Sequence, residues 1–96
     1  MSKEHGLGCV LVVDDEESLR HLLVLALDAF GIEVETASDG MEGLERYQPE
    51  RHQVVLTDMR MPRLDGLGLT RRLLKKDPEA IVVVMSAYGD LSLALQ

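Results

Sequence analysis

Three apolar runs in this chain end in residues that can do chemistry. Cys9-Val10-Leu11-Val12-Val13 stops at Asp14-Asp15, the run from Gln53 to Thr57 stops at Asp58, and Ile81 to Met85 stops at Ser86. Carboxylates gathered at one place repel, by roughly 1 kcal/mol per pair at about 4 Å in water and about 4 kcal/mol at an effective dielectric near 20. A hard cation offsets that repulsion, and Mg2+ takes a few carboxylates together with waters and phosphate oxygens. A carboxylate held beside such an ion is also a nucleophile toward phosphorus, forming an aspartyl phosphate. Taken singly, each signal has a simpler reading. Asp15 can be the N-cap of a following helix, with Glu16 and Glu17 at its positive end. Asp58 can be a turn residue, and Ser86 a local hydroxyl-to-backbone bond. Their joint placement at the ends of strands is what marks a site.

The elements that must carry these residues alternate between two periods. Cys9–Val13 is β-branched and apolar without polar alternation, which suits a strand covered on both faces. Leu19, Leu22, Leu23, Ala26, Leu27 and Phe30 recur at helical spacing as a core stripe, and Gly31 supplies the stop. Glu33 to Ala37 reads as a second strand. Asp39-Gly40-Met41-Glu42 has capping-box spacing and opens a short helix that ends near Pro49. Gln53 to Thr57 is a third strand, and Gly66 to Lys76 a helix presenting Leu69, Leu73 and Leu74 and closed by Pro78. Its basic group, Arg71, Arg72, Lys75 and Lys76, reads as a solvated C-terminal face. Ile81 to Met85 is a fourth strand, and Asp90 is predicted to cap a helix over Leu91 to Gln96. Alternation of this kind implies right-handed crossovers and a parallel sheet between helices, with ligands beyond the carboxyl ends of the strands where strand order reverses.

Composition narrows the partners. The 96 residues suit one domain over residues 1–96, and 46% hydrophobic with 28% charged residues is ordinary globular usage. With 17 acidic against 10 basic side chains the net charge is −7, which opposes gripping nucleic acid, where phosphate neutralisation dominates affinity. Cys9 is the single cysteine and has no partner for an internal disulfide, and no Cys/His group has zinc spacing. The scattered His5, His21 and His52 receive no role. No apolar run approaches the roughly 20 residues of a membrane helix, and Met1 to Gly8 lacks a signal-peptide core. The expectation is a cytoplasmic, acidic domain.

Three stretches, Val10-Leu11-Val12-Val13-Asp14-Asp15-Glu16, Leu56-Thr57-Asp58-Met59-Arg60-Met61-Pro62-Arg63-Leu64-Asp65-Gly66 and Val84-Met85-Ser86-Ala87-Tyr88, carry a family resemblance. The chain resembles the receiver domain of two-component response regulators, the CheY-like fold, from Cys9 onward. The resemblance implies a flavodoxin-like, doubly wound parallel sheet with strand order 2-1-3-4. It implies that Asp58 accepts a phosphoryl group from the phosphohistidine of a sensor histidine kinase. Asp15 then resembles a direct ligand of Mg2+ or another divalent cation, Asp14 a ligand mainly through water, and Arg60 the donor of a backbone carbonyl to the metal. Ser86 resembles the switch hydroxyl that turns toward the phosphoryl oxygens, with small Ala87 leaving room for that group. The same likeness implies a signalling module that does not turn over a substrate. It would act on an output domain or downstream protein through the face around the fourth helix, where added charge biases a two-state element. Ser86-Ala87-Tyr88-Gly89-Asp90 is similar to receivers attached to transcription activators, so the output expected is transcription regulation.

The family's fifth strand, fifth helix and phosphoryl-pairing lysine would follow Gln96, and the chain's lysines are Lys3, Lys75 and Lys76. The expectation is an N-terminal piece of a longer regulator, with phosphorylation of this chain alone impaired or lost and an open apolar edge on strand four that recruits a second copy. A degenerate receiver serving only protein association is the alternative. A flavodoxin-like nucleotide binder is opposed by the acidic cluster. An Asp-x-Asp phosphatase is opposed by Arg60, which stands where its second carboxylate belongs.

Overall fold

The computed structural model describes residues 8–85 and the backbone of Leu91–Ala94. Strand β1 (Cys9–Val13) is buried along its whole length, as its unalternating apolar run requires. Leu11 and Val13 enter one core, while Val10 and Val12 enter another on the opposite face. Helix α1 (Glu17–Asp28) follows. Its closure uses Gly31 at φ 77°, with Gly31 N–H returning to the Asp28 carbonyl at 2.9 Å and Ile32 N–H to that of Leu27 at 3.1 Å. Strand β2 (Glu33–Ala37) pairs in parallel with β1.

Helix α2 (Gly40–Arg46) begins as its sequence spacing dictates, the Asp39 carboxylate accepting from Glu42 N–H at 2.9 Å. It ends three residues before Pro49, because Tyr47 turns extended and buries its ring while its hydroxyl donates to Asp77 at 2.6 Å. Strand β3 (His52–Asp58) extends the expected run by one residue at each end. Helix α3 (Gly66–Lys76) is capped by Asp65, whose carboxylate accepts from Gly68 N–H at 2.8 Å, and it buries Leu69, Leu73 and Leu74. Strand β4 (Val82–Met85) pairs in parallel with β3.

The parallel strands stand in the order β2-β1-β3-β4, so the strand order reverses between β1 and β3. Helices α2 and α3 cover one face around Leu11, Val13, Val55, Leu69, Leu73 and Val82. Helix α1 covers the other, and only partly. None of its residues is fully buried; Leu23 and Leu27 rest on Val10, Val12 and Ile32. Leu22, Ala26 and Phe30, expected in the core stripe, are exposed, Phe30 by 80%. The helix rests on β1 and β2 along a single line, so the width of its apolar stripe exceeds the width of sheet beneath it.

Residues 91–94 depart from the sequence reading. Instead of a helix they form strand β5 (Leu91–Ala94), antiparallel to β4, with Met85 opposite Leu91 and Val82 opposite Ala94. A six-residue helix is marginal in water, whereas the row of backbone donors and acceptors along β4 offers ladder bonds to whatever segment reaches it. The edge of β4, expected to be open to a second copy, is therefore closed from within the chain. The proposed cap Asp90 lies outside the described residues.

Candidate functional site

Asp14 and Asp58 stand at the carboxyl ends of the two central strands, and Asp15 follows Asp14 into the loop to α1. Asp14 is only 1% exposed, Asp58 is half-buried and Asp15 is exposed. Each offers a carboxylate oxygen, and the three oxygens lie within 4.8 Å of one another. The three residues singled out from the sequence thus converge, although 43 positions separate Asp15 from Asp58 in the chain.

The simpler reading of Asp15 does not hold. The N-cap position of α1 falls at Glu16, with no side-chain capping bond. Asp14 makes the local bond instead, its Oδ1 accepting from Glu16 N–H at 2.8 Å. Its N–H donates to the Ala37 carbonyl at 3.1 Å, and its own carbonyl accepts from Arg20 Nη1 at 2.6 Å. Asp14 is held at three atoms, and one is left over. Its Oδ2 is buried without a hydrogen-bond partner. Burial pushes the Asp14 carboxyl above its usual range; the Glu16 N–H bond opposes that shift, and the charges of Asp58 and Asp15 reinforce it. A buried carboxylate with one oxygen lacking a donor, gathered with two further carboxylates, fits a divalent cation and oxygen ligands.

The loop after β3 is pinned on both flanks. Met59 N–H bonds the Met85 carbonyl at 3.0 Å and Met61 is buried in the core beneath α3. Arg63 has φ 71° at the centre of a tight turn closed by Leu64 N–H to the Pro62 carbonyl at 2.8 Å, and its guanidinium pairs with Asp39 at the start of α2. Arg60 stands exposed in this loop, two residues past Asp58. Gly66 permits the closest approach: a Cβ there would lie 2.3 Å from the Asp58 carbonyl oxygen and 3.0 Å from Met59 Cα. Gly66→Ala is expected to lower stability by about 1–3 kcal/mol and to displace Asp58, since the obstruction is backbone. Urea unfolding reads the first effect; an unchanged midpoint would contradict it. Ser86 and Ala87 lie outside the described residues.

A second cluster lies at the opposite end of the sheet. A register shift between Cys9 and Val10 leaves Gln53 as the extra residue and turns His52 to the α2 side, against the Tyr47 ring at 6.0 Å. Cys9, Glu35 and His52 converge there. His52 Nδ1 accepts from Gln48 N–H at 3.0 Å, so its ring proton sits on Nε2, 2.6 Å from Glu35 Oε1. Arg51 holds the other Glu35 oxygen at 2.7 Å. With both imidazole nitrogens satisfied, the cluster is a closed polar network, and the His52 bond holds the Glu35 carboxyl below its usual range. Sequence reasoning gave His52 no role because only the register shift reveals its face. It also passed over Arg20 and Arg63, for which spacing alone gives no signal.

An open α/β sheet with three carboxylates at its switch point and one buried oxygen unsatisfied defines an acidic-pocket domain of the doubly wound class. The family model for the response regulator receiver domain matches residues 10–96. The chain belongs to that family. It is 41% identical over 83 residues to "Probable transcriptional regulator ycf27" of Guillardia theta, a match covering 86% of this chain and 32% of that protein's length. Among solved structures it is similar to the response regulator TrrA of Thermotoga maritima in complex with Mg2+-BeF, with TM-score 0.80, 34% identity, and coverage of 85% of this chain and 71% of that one. It is equally similar to a structure of the histidine kinase ThkA in complex with TrrA, with TM-score 0.80, 33% identity, and coverage of 88% and 72%. The chain spans about a third of the ycf27 relative.

Proposed function

We propose that residues 1–96 are a receiver unit that accepts a phosphoryl group on Asp58 from the phosphohistidine of a sensor kinase. The observation that carries this is the convergence of Asp14, Asp15 and Asp58 with the Asp14 Oδ2 left unsatisfied. Asp14, Asp15, Asp58 and the Arg60 carbonyl would hold Mg2+, which when bound supplies positive charge against the phosphoryl oxygens. Asp58 does the bond-making. One carboxylate oxygen attacks phosphorus, an O–P bond forms, the N–P bond of the donor imidazole breaks, and its electron pair stays on that nitrogen. The sheet holds Asp58 at the end of β3 for this, and its ladder partner Met85 leads directly to Ser86. Ser86 is the hydroxyl proposed to meet the new phosphoryl oxygens, with Ala87 giving space beside it.

Complexes of TrrA with Mg2+-BeF and with ThkA support the cation and the kinase, and the name of the ycf27 relative supports a transcription-regulating output. The output would be served from the β4 edge of the sheet, where strand β5 stands in place of the helix expected there, and the protein would work in the cytoplasm. No helix of the described residues is long and apolar enough to cross a membrane. The modification is a signal held on the protein, not a turnover reaction. Incubation with acetyl phosphate and Mg2+ tests the proposal by intact mass. The expected gain is a single phosphoryl group on a fraction of the molecules, since the family's phosphoryl-pairing lysine is not among these residues; it is acid-stable and base-labile, and absent when a chelator replaces Mg2+. Labelling that persists in chelator would overturn it.

A further inference from the structure

We infer that Arg20 is a positioning residue for the cation pocket, acting on the peptide that joins Asp14 to Asp15. This rests on the cation reading proposed above. Strand β1 ends at Val13, and Asp14 N–H to the Ala37 carbonyl is the last main-chain bond that the sheet supplies on this side. The Asp14 carbonyl points beyond the ladder, and Arg20 Nη1 reaches back from α1 to hold it at 2.6 Å. That carbonyl belongs to the planar unit whose N–H is Asp15's own, so fixing it fixes the orientation from which both carboxylates hang.

The bond is charge-assisted on the donor side and partly buried. Arg20 acts through the backbone, since the atom it holds is the Asp14 carbonyl oxygen. With Glu16 N–H on Oδ1 and Arg20 on the carbonyl, the one Asp14 oxygen without a protein partner is Oδ2. Groups that orient ligands in this way change metal affinity when removed.

Binding of Mn2+ to the full chain, read by the loss of its free-ion electron paramagnetic resonance signal, tests this with Mn2+ alone and no phosphodonor. It is measured at a temperature where circular dichroism shows every variant folded. Arg20→Met is expected to raise the Mn2+ dissociation constant about tenfold. Arg20→Lys, which keeps one charged donor, is expected to recover part of the loss. A residue that only stabilised the fold would lower the melting midpoint in chelator and leave the dissociation constant of the folded protein unchanged, and that result overturns the inference. Wild type that binds Mn2+ beside an Arg20→Met variant of equal affinity overturns Arg20 alone. Wild type that binds no more Mn2+ than Asp15→Asn overturns the cation reading, and the Arg20 inference with it.

Discussion

Asp58→Asn is expected to lose phosphoryl labelling altogether while remaining as stable as the parent protein. An amide keeps the shape of the carboxylate but lacks a nucleophilic oxygen anion, so the O–P bond has no donor. The fold should tolerate the change for the same geometric reason that the site exists. Asp58 is the last residue of β3, its main chain is set by pairing with Met85 and by the Thr57 hydroxyl donating to its carbonyl at 3.0 Å, and neither contact uses its side chain. Removing its charge also relieves Asp14 and Asp15, whose oxygens lie within 4.8 Å. Intact mass after acetyl phosphate treatment, paired with a thermal melt of the same sample, separates chemistry from folding. Equal adducts on both proteins would remove Asp58 from its role.

Asp14→Asn should raise stability at neutral pH and in the absence of divalent cations. Wild-type Asp14 places a carboxylate where it is 1% exposed, leaves one of its oxygens without a donor and gathers it with two like charges. Asparagine keeps an oxygen for the Glu16 N–H and puts an amide where Oδ2 was, able to donate to a neighbouring carboxylate. Relief of about 1–2 kcal/mol is expected, near the scale of one like-charge contact at intermediate dielectric. In a domain of this size that raises Tm by about 4 °C or more. The pH dependence has a definite sign. Because the folded-state carboxyl of Asp14 is raised above its unfolded value, its proton stabilises the wild type below the ordinary carboxylate range, and that contribution is lost as pH rises through the raised value. The advantage of asparagine should accordingly vanish in acid and grow toward neutrality. Mg2+ should raise the melting midpoint of the wild type and scarcely move that of the variant, since a ligand stabilises only the state that binds it. A variant that melts lower at neutral pH, or an advantage flat with pH, would contradict this account.

The sequence disclosed most where one local rule sufficed. Cys9–Val13 suited a strand covered on both faces, Asp39 stands three residues before the N–H it caps, and Gly31 marks the closure of α1. The convergence of Asp14, Asp15 and Asp58 was legible because parallel topology sends the ends of β1 and β3 to one place. What stayed hidden depends on partners distant in sequence. Leu91-Ser92-Leu93-Ala94 fits either period over so short a span, and an available edge on β4 decides for a strand. The face of His52 turns on a single extra residue opposite β1. Asp15 was the expected cap of α1, and the turn made by Asp14 moves the cap position to Glu16. Arg20 meets Asp14 through the phase of a helix against a strand end, which spacing does not encode.

The uneven roofing of the sheet gives the molecule a gradient of local opening. Amide protons in β1 and β3, sandwiched under the leucines of α3, should exchange with deuterium slowest. Those of α1 should exchange early, although at 12 residues it is the longest helix among the described residues and has no fully buried side chain. Because Arg20 rides on that helix, each excursion of α1 away from the sheet releases the Asp14 carbonyl. The order of the acidic pocket is thereby tied to the breathing of the least anchored element beside it, and a partner that clamps α1 would quieten the pocket without touching a carboxylate.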